Sequence, residues 1–160
     1  MNKAFTRETD DAPPAPQEER PVSSALNLVT PRGARRIKEQ IAAIENKHAA
    51  EADPVIKSEL RRDVRYWLAR QSSMQIVTQN TDTNTVGFGT RVTIQRGTSV
   101  VTVTIVGEDE ADPKAGLIAW TAPLARAIDG AVVGEKVDLE GGRDETVTIL
   151  EISGNDDSDR

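Results

Sequence analysis

The chain has no cysteine and a single histidine, His48. The first absence excludes disulfides, thiol chemistry and cysteine-ligated metals, and the second leaves no multi-histidine zinc site. Aromatic residues are nearly as scarce, with two Phe, two Trp and one Tyr among 160 residues. A core must therefore be built from Val, Ile, Leu and Ala, and an aromatic-lined pocket for a small-molecule substrate is not expected. No stretch approaches the roughly 20 apolar residues needed to cross a bilayer, and the N-terminal region lacks the apolar centre of a signal peptide. These absences together give the expectation of a soluble, cytoplasmic chain with no cofactor, no bound metal and no membrane partner.

The length suits one compact core with an appendage, or two small units. The net charge of −6 is unevenly divided. From Thr30 to Val77 ten Lys and Arg face six Asp and Glu, whereas from Val86 to Ile152 six face eleven. A basic appendage on an acidic domain suits a partner that offers both nucleic-acid and protein surfaces. Ordinary solvation of helical faces would produce the same asymmetry.

Residues 1–27 are rich in Pro, Glu, Asp and Ala, a composition that predicts a disordered tail, and 153–160 form a second, acidic one. Between them Thr30 and Pro31 make a helix start, a hydroxyl cap followed by proline at the first helical position. Ala34, Ile37, Ile41, Ile44 and His48 then recur at alternating spacings of three and four, a narrow seam that needs one partner helix. That partner follows Pro54, with Ile56, Leu60, Val64, Trp67, Gln71 and Met74 in register. A connection as short as Glu51–Pro54 forces an antiparallel hairpin over 28–77, about 30 Å long at 1.5 Å per residue. After a polar linker, 78–85, the period falls to two: Val92 and Ile94, then Val101, Val103 and Ile105, then Ile118 and Trp120, then Val147 and Ile149. Glycines at 97, 107, 116, 134, 141 and 142 punctuate these runs. The fold class expected is α+β, with a two-helix coiled-coil hairpin followed over 86–152 by a small antiparallel sheet domain with one short helix near Leu124–Ile128.

Several separated strings carry a family resemblance: VGFGTRVTI at 86–94, IVGEDEADP at 105–113, Gly116 with Ile118, PLARAIDG at 123–130 and VGEKV at 133–137. With LVTPRGARRI at 28–37 and QIV at 75–77, they resemble the Gre-type bacterial transcription elongation factors over about 30–152. The resemblance implies an FKBP-like C-terminal domain that binds RNA polymerase at its secondary channel, and a coiled coil directed toward the active site. In cleavage-stimulating members a longer arm carries a tip acid pair in a context of Asp, two residues, Glu, Asn, which helps hold the polymerase's second magnesium. Here the arm is short and that motif is absent, as in the short-armed Rnk-like relatives.

The resemblance directs attention to three groups. Glu51 and Asp53 are the only carboxylates at the tip, and could replace the missing pair or simply cap and solubilise the turn. Glu108, Asp109, Glu110 and Asp112 lack the ligand spacing of a calcium loop. With Pro123, Leu124 and Arg126 they are expected as an exposed polymerase-binding surface, against the alternative of a structural turn leading to a core helix. Lys57, Arg61 and Arg65, one stripe at intervals of four, and Arg32 and Arg36 near the base are candidates to face nascent RNA. Local pairing along the seam would explain the same stripe. No catalytic residue and no enzyme activity of its own is expected, since no nucleophile stands beside a base. The function implied is an RNA polymerase-binding elongation factor or regulator without efficient cleavage stimulation. A cleavage factor using Glu51 and Asp53 is the alternative, and a peptidyl-prolyl isomerase, which would need more aromatics than Phe88 and Trp120, is the competitor from another class.

Overall fold

The computed structural model describes residues 18–78, 83–139 and 146–154. The expectations for 1–17, for 79–82 of the linker, for the glycines at 141 and 142 and for 155–160 lie outside these residues.

The arm forms where the caps predict. Thr30 accepts the Gly33 amide on its side chain and starts α1, Pro31–Ala50; Asp53 accepts the amides of Val55 and Ile56 and starts α2, Pro54–Ser73. Both helices have Pro in the first turn, where its missing N–H costs nothing. Short strands at Leu28–Val29 (β1) and Gln75–Ile76 (β2) pair in parallel and tie the two ends of the hairpin together. This ladder has no periodic signal in two-residue strings, and the sequence did not suggest it.

The α1 half of the seam is as expected, with Ala34, Ile37, Ile41 and Ile44 buried. The α2 half differs. Leu60, Val64 and Trp67 are half-buried, Ile56 is exposed, and the buried residue of α2 is Arg70. Two helices can enclose only one stripe between them, so flanking apolar groups stay partly wet.

The second module is a five-stranded sheet in the order β5-β4-β3-β7-β6, formed by Thr90–Arg96 (β3), Ser99–Val106 (β4), Leu117–Ala119 (β5), Lys136–Asp138 (β6) and Thr146–Gly154 (β7). It is mostly antiparallel, but β4 and β5 run parallel, because the chain leaves β4, folds through 3-10 turns at Glu108–Glu110 and Pro113–Ala115, and re-enters in the same direction. Gly116 ends the second turn in the left-handed region, φ 75°, which glycine alone adopts without strain. Helix α3, Pro123–Ile128, packs Ala125 and Ile128 into a core with Val92, Ile94, Val103, Ile105, Val147, Ile149 and Ile152.

Two details depart from simple alternation. The burial phase in β7 shifts between Ile149 and Ile152, because the register slips opposite Thr93 and Ile94 and leaves Leu150 unpaired; an extra residue in one strand moves the next side chains to the other face. Val101, expected inside, is exposed although it pairs with buried Ile94, because β5 flanks β4 only from Thr104 to Val106 and leaves β4 an open edge at Val101.

Candidate functional site: the arm and the joint that holds it

The tip is a turn held by its own carboxylates. Glu51 Oε1 accepts the amides of Ala52 and Asp53 at 2.8 Å each, and Asp53 Oδ1 accepts those of Val55 and Ile56 at 2.8 and 3.4 Å. Among the described residues no three His, Cys, Asp or Glu are grouped closely enough to hold a metal ion.

Below the tip, Arg61 Nε donates to His48 Nε2 at 3.1 Å, and the two helices leave a cleft of about 310 Å³ lined by Glu45, His48, Arg61, Val64 and Arg65. Arg65 is paired with Glu19 at 2.5 Å, and this carboxylate raises the guanidinium pKa further. Lys57 is half-buried, whereas Arg32 and Arg36 are exposed near the arm base. Glu19 belongs to a segment expected in the disordered tail. Instead Arg20 lies 3.9 Å over the Tyr66 ring and 3.4 Å from Asp63, and Ser23 donates to Glu108 at 3.1 Å. Opposite charges and an aromatic face on α2 give this short, weakly apolar segment a defined path.

The acidic turn is the largest departure from expectation. Glu108 and Asp109 are half-buried and Glu110 buried, rather than exposed as the sequence suggests, and the three form the joint between the modules. Glu110 is 4 % exposed. Its carboxylate accepts the Thr30 amide at 3.1 Å and the Thr30 hydroxyl at 2.5 Å, and also the amide of Gly107 at 3.3 Å. The Thr30 hydroxyl simultaneously accepts the Gly33 amide at 3.0 Å. A carboxylate of the sheet domain thus holds the N-cap residue of α1, at the helix end where its negative charge is favoured.

Arg70 completes the joint from α2. It is 1 % exposed; its Nε donates to Asp109 Oδ2 at 2.5 Å, and its Nη2 lies 3.5 Å from Glu108 Oε2. The other oxygen of Asp109 accepts the Tyr66 hydroxyl at 2.7 Å. Burial, then the bond to Asp109 and that carboxylate's charge, raise the Tyr66 pKa, while Arg70 and Arg20 partly oppose the shift. Asn27 donates to the Arg70 carbonyl at 2.7 Å. The reason for the burial is geometric: the 3-10 turn directly follows β4, so three successive acids are turned against the arm base rather than outward.

Asp112 remains exposed, capping the following turn through the Lys114 amide. Pro123 and Arg126 are exposed on α3, whereas Leu124 packs against the sheet core, as the inward residue of a short amphipathic helix must. Neither Phe88 nor Trp120 lines the arm cleft or a second cleft at the arm base. Sequence reasoning missed Arg70, Tyr66 and Arg20. A signal for Arg70 did exist, because it lies three residues after Trp67 and four before Met74, within the seam spacing.

The two modules and their charged joint define an arm-bearing α+β protein. A family model described as "Transcription elongation factor, GreA/GreB, C-term" matches residues 80–154. Transcription elongation factor GreA of Ruthia magnifica subsp. Calyptogena magnifica is 31% identical over 123 residues, covering 76% of this chain and 75% of that protein. The chain belongs to the GreA/GreB family of transcription elongation factors. GreA of Vibrio parahaemolyticus is 36% identical over 95 residues, covering 58% of this chain and 60% of that protein, so the chain spans about three fifths of that relative. GreB of Neisseria meningitidis is 28% identical over 152 residues, covering 79% of this chain and 93% of that protein. Among solved structures, the GreA factor homolog 1 (Gfh1) protein of Thermus thermophilus aligns over 81% of this chain and 100% of its own, at 15% identity and a TM-score of 0.39.

Proposed function

We propose that this chain binds RNA polymerase, directs its arm into the secondary channel and modulates elongation without efficient stimulation of transcript cleavage. Family membership supports the polymerase as partner. The observation that carries the absence of cleavage stimulation is the state of the tip. One oxygen of Glu51 and one of Asp53 are each committed to backbone amides of the turn, which folds both carboxylates back onto the arm. A hard divalent ion wants oxygens projecting to it at close range, and two-metal phosphoryl chemistry does not tolerate a ligand held short. Any cleavage would be performed by the polymerase's own active site.

In this reading the arm's basic face, Lys57, Arg61 and Arg65, lies toward nascent RNA, with Arg32 and Arg36 near the base. Asp112, Pro123 and Arg126 form the polymerase-facing surface of the sheet domain, and Glu108, Asp109 and Glu110 serve as the joint that sets the arm's direction. Titration of the protein onto RNA polymerase stalled in a backtracked complex tests the reading, with binding and transcript shortening scored together. Binding without shortening is expected. Shortening lost on Glu51→Ala or Asp53→Ala would instead establish a cleavage factor, and absence of binding would remove the polymerase as partner.

A further inference from the structure

The segment before the arm is laid on α2 in a specific register. Glu19 meets Arg65, Arg20 meets both Asp63 and the face of Tyr66, and Ser23 reaches Glu108 on the joint. Each contact pairs a donor with an acceptor, or a cation with an anion or an aromatic face. A segment with few apolar groups is thereby held against α2, with its carboxylate on Arg65, one cation of the arm's basic face. The surface it meets is already shaped for an anion. His48, Arg61 and Arg65 line one cleft, with Glu45 as the only carboxylate among its described lining residues. The carboxylate of Glu19 stands at Arg65 where an external phosphate oxygen would bind, since guanidinium recognises the two groups by the same donors.

We propose that residues 19–23 are an internal strap that competes with single-stranded nucleic acid for the Arg61–Arg65 face of α2. The strap is built to be displaced. Glu19 and Arg65 keep side-chain exposures of 61% and 55%, and Arg20 and Asp63 keep 40% and 33%, so water and salt screen both pairs. A polyanion presents several phosphates at once and releases counterions on binding, whereas the strap presents one carboxylate at Arg65. Arg20 supplies the register: with its guanidinium on Tyr66 and Asp63, the preceding residue is delivered to Arg65. The inference rests on the nucleic-acid reading of Arg61 and Arg65 given above, and extends it to a control of that face by the chain itself.

The test is fluorescence anisotropy of a labelled single-stranded RNA oligonucleotide with the full chain, across a salt series. The strap variant carries Glu19→Gln and Arg20→Ala together, which removes one charge of each sign and leaves the net charge unchanged. Its affinity is expected to rise about two- to fivefold, the range that one or two exposed ion pairs hold back. Its salt slope should steepen by about 0.7 for each additional phosphate that the uncovered arginines neutralise. Adding Arg61→Ala and Arg65→Ala to the strap variant should abolish the gain. If the arginine substitutions weaken RNA binding but the strap variant binds like the wild type, the strap is overturned and the basic face stands. If the arginine substitutions change nothing in either background, the nucleic-acid reading of the face itself fails. A gain that survives loss of both arginines also overturns the strap.

Discussion

Arg70 and Asp109 form a buried ion pair between the arm and the sheet domain. A guanidinium and a carboxylate taken out of water are each expensive, and their attraction offsets the cost only where geometry and further hydrogen bonds are good. Here Asp109 uses one oxygen for Arg70 and the other for Tyr66. Tyr66 is the only tyrosine of the chain, so its ionisation can be followed directly in absorbance. Its raised pKa means that the folded state favours the neutral phenol. The stabilisation is therefore complete below the unfolded value of about 10 and is lost as pH rises through the higher folded value. An alkaline titration should show tyrosinate appearing above pH ~10 in native protein and returning to ~10 in urea. A native titration at or below the urea value would show that the hydroxyl does not face Asp109.

The helices owe their starts to side chains on two different scales of separation. Asp53 caps α2 from the adjacent turn, as the sequence DP already indicates. The cap of α1 begins locally with Thr30 but is finished by Glu110, 80 residues away. Gly33 makes room for that contact, since a Cβ there would fall 2.3 Å from Cδ and Oε2 of Glu110. Helix propensity alone favours Gly33→Ala by about 1 kcal/mol. Expelling the carboxylate leaves buried donors unpaired, at about 1–3 kcal/mol for each such group. The clash should win, so Gly33→Ala is expected to destabilise the protein in a urea titration by about 2 kcal/mol or more, the loss at the donors of Thr30 and Gly107 outweighing the helical gain. In a Glu110→Ala background the same substitution should become neutral or stabilising, which distinguishes the carboxylate from any general intolerance at position 33.

Among the described residues there are two apolar clusters, one in the sheet domain and one at the arm base around Val29, Ala34, Ile37 and Ile41. They are joined through charged and hydroxyl groups rather than through a shared core. Polar joints are directional, because a hydrogen bond fixes angle as well as distance, whereas apolar contact tolerates sliding. Such a joint can aim an arm. It also predicts a two-tier response: Arg70→Ala leaves the Asp109 carboxylate buried without its cation, a loss of about 3–5 kcal/mol for a buried pair. Hydrogen exchange should then speed in α1 and α2 while β3, β4 and β7 keep their protection. Uniform loss of protection throughout would mean that the modules unfold as one cooperative unit.

The sequence by itself determined the helix pair, its turn, the sheet domain and the family, because caps, periodicities of 3.5 and 2, and ordered glycine punctuation are local properties of the chain. Thr30, Asp53 and the alternation of Val92 with Ile94 act on near neighbours and are readable without a fold. The tertiary structure decided what the charges do. In sequence, Glu108, Asp109 and Glu110 have the composition of a solvated loop, and Arg70 and Arg20 look like ordinary surface cations. Their partners across the joint lie 38 to 80 residues away, or across α2 from a segment with no periodicity. Whether a charge is solvated or buried depends on which other charge the fold brings within about 4 Å of it, and no local pattern encodes that distance.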